Sequence, residues 1–376
     1  MLLHNNKAKE ILLDPVKAQI SALLEDIGFL TTSKPKVAYH GCVYENLGDK
    51  ILLNAFRALF SPDFFLYSKH YWGKLLRMSG QEHTPFLVSF LGGGTLINVS
   101  KSFLELIMKC KARVNVVFGT GVADPTFLNS LKNSYCDIPS WVDYLNTCKY
   151  IGVRGPHSAS ILRDGGVNQE IKVIGDPALW FADSTVKKKQ MTKTIGINLG
   201  YTNGNLWGGS DEKIASVMIS FIKHLVQSGW HLKFFPVWKE DIPFLTHIIR
   251  SAGLIPQEVV LGNYMNVHRF KKELRKVDLF IGEKLHSVIL AACTYTPHIM
   301  IEYRPKCRDF MESLNLGQYN LRCDKLEPEM LMHLSETIYE KTESIQEYLF
   351  TKVNMIRSNL IKEARSIITI IPTRSG

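Results

Sequence analysis

The sequence lacks the features of a secreted, membrane-spanning or metal-binding protein. Its first residues, MLLHNNKAKE, carry no apolar core behind a positive start, so no secretory signal is predicted. No run reaches the roughly 18 apolar residues that a membrane span needs. The 7 cysteines are scattered without a CxxC pair, which argues against a zinc site or a disulfide framework and favours reduced thiols. These absences predict a cytoplasmic protein that needs no metal.

Motifs for nucleotides and nucleic acids are also missing. The sequence contains neither GxGxxG nor GxxxxGK[ST], and it has no RNP-like or zinc-finger pattern, so no nucleic-acid partner is predicted. The formal net charge of +10 nevertheless favours an anionic partner, such as a phosphorylated small molecule. Peripheral contact with the inner face of an acidic membrane is a second interpretation of the same charge.

The composition and pattern are those of a two-domain α/β protein. Hydrophobic residues make up 45% of the 376 residues and charged residues 21%, and apolar runs of strand length alternate with helical patterns. This indicates two Rossmann-like domains with mostly parallel sheets facing across a cleft. We expect an N-terminal domain over residues 1–185, a C-terminal domain over 194–325, and helices over 326–376 that pack back across the junction. The stretch Asp183 to Lys193, with its lysine run, is the predicted linker.

Three local predictions are less regular. An amphipathic pattern predicts a first helix from Val16 to Ile27. Val259 and Val260 suggest a short strand, because both are β-branched. Beyond Leu321 the pattern is helical to about Ile368, with a break at Pro328.

Candidate site residues follow the predicted strands of the N-terminal half. Asn46 and Asp49 lie in the loop after the first strand, where they either cap a helix or face a polar substrate. Gly93, Gly94 and Thr95 follow the strand Phe86 to Leu91; glycines there let the backbone approach an anion, or serve only a tight turn.

Arg154 follows another predicted strand, Tyr150 to Val153. A guanidinium at a strand end binds phosphate or carboxylate bidentately, and it equally suits a structural ion pair.

The richest stretch runs from Lys276 to Phe310 and holds two strand-to-helix corners. An imidazole at His286 titrates near neutral pH and suits acid–base chemistry. Lys284 and Lys306 would stabilise an anion, while Glu283 and Glu302 would orient the imidazole, bind hydroxyls or form ion pairs. The charged or titratable residues of the two corners are Glu283, Lys284, His286, Glu302, Lys306, Arg308 and Asp309.

Several segments match a known family in order and spacing, over roughly Lys36 to Leu314. They are NLGDKILLNAF, LGGGTLI, VFGTGVADP, GVRGPHSASILRDGGV, VIGDPAL, IGINLG and KLHSVILAACTYTPHIMIEYRPKCRDFMESL. The ordered set resembles the polysaccharide pyruvyl transferases. The resemblance implies a GT-B-type fold and transfer of pyruvate from phosphoenolpyruvate to two hydroxyls of a sugar, as a cyclic ketal, with release of phosphate. Phosphoenolpyruvate would be a substrate, so no cofactor is expected.

The resemblance also implies roles. The family's Arg-Leu-His motif falls on Lys284, Leu285 and His286, and its Ser-Val-Arg motif ends on Arg154. We therefore expect His286 as the general acid, with Lys284, Leu285, Arg154 and Lys306 at the donor.

The remaining candidates are assigned to the sugar acceptor, which would be linked to a nucleotide, a lipid or a polymer. They are Asn46, Asp49, Gly93, Gly94 and Thr95. Lysine at 284 keeps the charge of the family's arginine but loses its bidentate fork. A GT-B glycosyltransferase that uses a sugar nucleotide, or a non-catalytic glycan-binding relative, are the alternatives.

Overall fold

A computed structural model describes residues 23–41, 46–68, 86–110, 112–131, 134–186, 190–259 and 266–371. The described chain begins within a helix that ends at residue 31, so only the last part of the predicted helix Val16 to Ile27 is covered. Lys187, Lys188 and Lys189 of the predicted linker, and Val260, also lie outside the described residues.

The first sheet is built from buried apolar runs in the N-terminal half. Its strands are β1 (Lys36–His40), β2 (Phe65–Tyr67), β3 (Phe86–Gly92), β4 (Thr95–Ile97), β5 (Ala112–Val122), β6 (Tyr150–Val153) and β7 (Ile171–Val173). The order is β2-β1-β3-β5-β6-β7, with β4 beside β5, and the described pairings are parallel. Its helices are α1 (Leu47–Phe60), α2 (Lys101–Lys109), α3 (Pro125–Ser130), α4 (Ile138–Leu145) and α5 (Pro156–Asp164).

The second sheet repeats the plan in the C-terminal half. Its strands are β8 (Thr194–Asn198), β9 (His231–Phe234), β10 (Leu279–Gly282), β11 (His298–Glu302) and β12 (Asn320–Arg322). They run parallel in the order β12-β11-β10-β8-β9. The helices between them are α6 (Asp211–Gln227), α7 (Asp241–Ser251), α8 (Pro256–Val259), α9 (Val267–Leu274), α10 (Leu285–Cys293) and α11 (Pro305–Ser313).

The predicted fold class is confirmed, because both sheets are parallel and face each other across a cleft in the GT-B manner. The inner strands β8, β10 and β11 are buried along their whole length, which explains their near-continuous apolar sequences. Among the described residues, no helix is long and apolar enough to cross a membrane.

Two local predictions are wrong. The segment before Val260 forms the helix α8 instead of a strand; proline at its first position favours a helix start. Pro328 likewise begins α12 (Pro328–Glu340) instead of breaking a helix, and β12 precedes it where only helix was expected. The last helix, α13 (Thr342–Ile370), follows at once.

The two sheets are joined by specific contacts. Ser158, near the start of α5, donates from its hydroxyl and its amide to the carboxylate of Asp309 in α11, at 2.7 and 3.0 Å. Tyr150 donates its hydroxyl to Glu363 of α13 at 2.9 Å, so the last helix contacts the first sheet. The amide of Leu47 donates to the carbonyl of Val237 at 3.1 Å, directly beside the cleft.

Candidate active site

A cleft of 1430 Å³ opens where the carboxyl ends of the two sets of strands face each other. This is where ligands bind in open parallel sheets. Nine of the ten predicted site residues line it: Asn46, Asp49, Gly94, Thr95, Arg154, Lys284, Leu285, His286 and Lys306.

Gly93 is the exception. It adopts a positive φ of 69°, and a β-carbon on Gly93 would lie 3.1 Å from the β-carbon of Leu52. This glycine is required by the turn after β3, because the left-handed conformation is costly for other residues. Its predicted contact with the acceptor is therefore not supported by its position.

His286 lies in the first turn of α10, directly against the first turn of α1. A β-carbon on Gly48 would be 2.2 Å from His286 Nδ1, so the ring and the Gly48 backbone are in close contact. Nε2 is buried and has no hydrogen-bond partner among the described residues. Burial lowers the pKa of His286 to about 3, and the positive charges of Lys306 and Arg154 act in the same direction. The imidazole is therefore neutral at pH 7 when no anion is bound.

Lys284 stands immediately before α10 and is held by the second sheet. Its ammonium donates to the carbonyl of Tyr201 at 3.1 Å and lies 3.6 Å from Asp241 Oδ1. Gly200 makes room for it, since a β-carbon there would lie 2.0 Å from Lys284 Cε. The direction of the ammonium is thus fixed by the loop after β8 and the start of α7.

A ring of cations surrounds Tyr303 at the corner after β11. Lys306 Nζ lies 4.9 Å from the ring centroid, Arg304 Cζ 5.3 Å and Lys284 Nζ 5.4 Å. Lys306 forms no ion pair or hydrogen bond with any residue that the structure describes. Burial lowers its pKa to about 7, and the charge of Arg304 contributes to the same shift. This corner is poised to gain energy from a bound anion.

Arg154 lines the cleft but is fully buried and bound to the protein. Its guanidinium donates to the Gly94 carbonyl at 3.0 Å and to Thr95 Oγ1 at 2.9 Å. It also pairs with Asp176 at 3.7 Å and with Asp309 at 3.5 Å. Arg154 therefore forms a structural ion pair that joins the sheets, and its charge also acts on His286. Its predicted bond to the donor stays a prediction.

The predicted acceptor residues at the start of α1 mainly bind each other. Asn46, not Asp49, is the N-cap: its side-chain oxygen accepts from the Asp49 amide at 2.9 Å. Its side-chain amide donates to Asp49 Oδ2 at 2.6 Å. This pair fixes the turn that carries Gly48 against His286.

The four other charged residues of the two corners differ in their contacts. Glu283 is buried, accepts from the Gly200 amide at 2.9 Å, and does not line the cleft. Glu302 accepts from Trp207 Nε1 at 3.0 Å and does not line it either, so neither acid orients His286. Arg308 and Asp309 contact Asp124 and Ser158 at the junction.

Sequence reasoning missed Asp241 and Trp238, which also line the cleft. They lie within the stretch VWKED at the start of α7, where charged residues are typical of a solvated helix end. The sequence signal that could have identified them is their position after β9, because they then lie at the same edge of the sheet as Lys284.

Comparison with known families shows the family to which the chain belongs. A family model for polysaccharide pyruvyl transferase matches residues 39–305, well over half of the chain. The chain belongs to the polysaccharide pyruvyl transferase family. The match runs from β1 to the first residue of α11 and so includes both faces of the cleft.

Several solved structures have a fold similar to that of this member of the family. A glycosyltransferase from Rickettsia africae covers 92% of the chain and 100% of its own, with 11% identity and a TM-score of 0.54. A protein described as a UDP-N-acetylglucosamine 2-epimerase from Listeria monocytogenes covers 90% and 96%, with 10% identity and a TM-score of 0.55. At such identities the likeness concerns the fold alone. No curated protein sequence matches the chain.

Proposed function

We propose that the protein moves pyruvate from phosphoenolpyruvate to two hydroxyls of one sugar, as a cyclic ketal, and releases phosphate. The observation that carries this is the Tyr303 corner. There Lys306, half-buried and without a carboxylate partner among the described residues, lies beside Arg304 and within the electrostatic reach of His286. A donor with both a phosphate and a carboxylate supplies the missing negative charge.

The reaction needs one proton at carbon and two new carbon–oxygen bonds. The methylene carbon of the enol phosphate gains a proton, and the adjacent carbon becomes electrophilic and bonds to the first sugar oxygen. The second sugar oxygen then displaces phosphate from the same carbon. One hydroxyl proton replaces the proton spent on the methyl group, and the other leaves with phosphate, so the equation balances without a redox partner.

His286 is the proposed acid, and its low pKa has a consequence. An imidazole whose pKa is about 3 holds almost no proton at pH 7. A donor anion in contact with Lys306 and close to the ring would raise the pKa of the imidazole, because an opposite charge favours the protonated form. Binding of the donor would therefore create the acid that the next step uses.

The donor anion would lie among Lys284, Arg304 and Lys306, at the amino ends of α10 and α11. Both helix dipoles favour negative charge there. Leu285 would pack against the donor, and Thr95 and Gly94 would lie toward the acceptor on the facing sheet. The positive charge of Arg154 would attract the donor anion while its guanidinium keeps its hydrogen bonds and ion pairs with the protein.

The test is incubation with phosphoenolpyruvate and a panel of methyl galactosides, mannosides and glucosides. We expect phosphate release that depends on one of the glycosides, with the ketal detected on it by mass spectrometry. His286→Gln should lose the activity, whereas His224→Gln, an exposed histidine in α6, should keep it. Thermal stabilisation by a nucleoside diphosphate sugar, with no effect of phosphoenolpyruvate, would instead support a glycosyltransferase.

A further inference from the structure

Asp241 is a buried carboxylate that the protein itself does not satisfy. It is the first residue of α7, and its side chain is 1% exposed. Neither oxygen has a hydrogen-bond partner among the described residues; Lys284 Nζ at 3.6 Å is its ion-pair partner. Buried polar groups are paired in the great majority of cases, and a bare carboxylate in an apolar setting is costly. Asp241 also lines the cleft, so its unused acceptor capacity is available to a ligand.

The loop that carries Asp241 is fixed to the turn that contacts His286. The carbonyl of Val237 accepts a hydrogen bond from the amide of Leu47. Gly48, which follows Leu47, contacts the imidazole of His286. Lys284 links the same carboxylate to the start of α10. Asp241 therefore belongs to the same constellation as the proposed acid, although it comes from a different strand end.

Trp238 adds an apolar surface to this part of the cleft. The residue is 37% exposed, which is a large exposed fraction for a tryptophan. It lines the cleft three residues before Asp241. An exposed indole beside a hydrogen-bond acceptor suits a ligand with one apolar face and several hydroxyls, which describes a pyranose ring.

We propose that Trp238 and Asp241 form the acceptor subsite, in which the sugar ring packs on the indole and Asp241 takes the proton of the hydroxyl that attacks the donor. This inference rests on the proposed function. The attacking oxygen forms its bond to the former enol carbon while its proton passes to Asp241, and His286 gives its own proton to the methylene carbon. The proton on Asp241 then returns to His286 through solvent, so the site is restored after each turnover.

The electrostatics of Asp241 suit a base. Burial raises its pKa to about 6, against the attraction of the Lys284 ammonium, while the charge of Glu240 acts in the same direction as burial. Glu283 and Tyr303 are the other titratable groups within its reach. A base is most effective when its pKa lies near the working pH, and this one is ionised just above pH 6.

The first experiment measures the binding of glycosides in the absence of a donor, so its result does not depend on catalysis. Binding of the methyl glycoside panel to the full chain is followed by calorimetry, for the wild type and for Trp238→Ala. We expect at least one glycoside to bind, and its Kd to rise about 10-fold in the variant because the apolar platform is lost. The inference is overturned if no glycoside binds the wild type, or if Trp238→Ala binds as well as the wild type.

The second experiment tests whether Asp241 acts as a general base or only positions Lys284. In Asp241→Asn we expect kcat to fall about 100-fold, since general base catalysis contributes that much or more. The acid limb of the wild-type kcat profile near pH 6 should disappear, while the Kd for phosphoenolpyruvate changes less than about 2-fold. Glu336→Gln, which removes an exposed acid of α12 outside the cleft lining, should keep the wild-type profile.

The outcomes distinguish the inference from the proposed function. If the wild type transfers pyruvate and Asp241→Asn remains active, the inference fails and the function stands. If Asp241→Asn loses phosphoenolpyruvate binding but keeps its acceptor KM, Asp241 only positions Lys284. If the wild type binds a glycoside through Trp238 yet releases no phosphate with any donor, the function fails and only the sugar subsite remains.

Discussion

The imidazole of His286 and the backbone of Gly48 are in direct contact across the cleft, and a β-carbon on Gly48 would lie 2.2 Å from Nδ1. Gly48 lies in α1 of the N-terminal half and His286 in α10 of the C-terminal half, so the position of the ring depends on how the two halves pack together. Gly48 has no positive φ, which means that space alone and not backbone conformation requires glycine there.

Gly48→Ala should therefore damage catalysis without damaging the fold. Alanine is the better helix former by about 1 kcal/mol, so the stability of α1 should be kept or improved. The new methyl group would displace the imidazole, and we expect kcat to fall by about 10–100-fold. Steady-state kinetics together with thermal unfolding measure both effects.

The matched control is Gly317→Ala. The nearest atom to its β-carbon would be Glu312 Cγ at 4.0 Å, and it does not line the cleft. Full activity in Gly48→Ala would show that the His286 ring position is not required, and the assignment of His286 as the acid would have to be withdrawn.

Much of the fold follows from the sequence because the strands are buried on both faces. The strand Tyr150–Val153 was predicted with the bounds that the structure shows, since it is a short apolar run closed by a polar corner. The residues around Val260 misled the prediction because two β-branched residues outweighed Pro256, which begins a helix turn.

The site is predicted less completely, for a physical reason. His286 and Lys306 follow buried strands, so the rule that ligands bind at carboxyl ends identifies them. Asp241 also follows a strand, but its neighbours Lys239 and Glu240 make the segment look like an ordinary solvated helix start. Burial of one carboxylate among exposed neighbours is set by tertiary contacts with Gly200 and Lys284, which no local pattern records.

Donor binding should take up a proton through Lys306. Because its pKa in the free protein is lowered to about 7, this lysine is mostly neutral at pH 8. A bound phosphate or carboxylate would raise the pKa, so close to one proton per donor should enter through Lys306 at that pH, besides the proton that His286 takes up. Calorimetric titration of phosphoenolpyruvate in buffers of different ionisation enthalpy measures the uptake. Lys306→Met should take up about one proton fewer per bound donor than the wild type, and Lys223→Met, on the exposed face of α6, should take up as many as the wild type. Absence of uptake in the wild type would contradict the donor site.

The same lysine should cost stability. Its pKa in the folded protein is about 7 and its ordinary value is 10.5, so between these pH values the unfolded chain binds a proton that the folded protein does not. This group therefore favours unfolding as the pH falls from 10.5 to 7. Lys306→Met should raise Tm at pH 7.5 by about 2–4 °C while weakening donor binding. A lower Tm would mean that Lys306 has a structural role.

Arg154 should behave in the opposite way. Removing its guanidinium leaves Asp176 and Asp309 buried without their cation, and truncation of one partner of a buried ion pair costs about 3–5 kcal/mol. We expect urea unfolding of Arg154→Met to show a loss of that size, partly recovered by adding Asp309→Asn. Arg163→Met, which removes one exposed arginine from α5, should cost about 1 kcal/mol or less. If Arg154→Met is as stable as the wild type and weakens only phosphoenolpyruvate binding, Arg154 is a donor ligand and not a structural pair.

Lys284→Arg tests the lysine that stands where the resemblance to the family implies an arginine. The ammonium of Lys284 is committed to Asp241 and the Tyr201 carbonyl, which leaves little of its hydrogen-bonding capacity for a donor. A guanidinium has five N–H groups in a planar fork, so one edge could keep Asp241 while the other binds the donor anion. One added charge-assisted hydrogen bond of about 1 kcal/mol or more should lower the KM for phosphoenolpyruvate roughly 5-fold. The acceptor KM should stay unchanged, and Lys284→Met, which keeps the packing against Gly200, should raise the donor KM instead. If arginine and methionine both leave the donor KM at the wild-type value, residue 284 does not touch the donor, and the match between this lysine and the family's arginine carries no catalytic meaning.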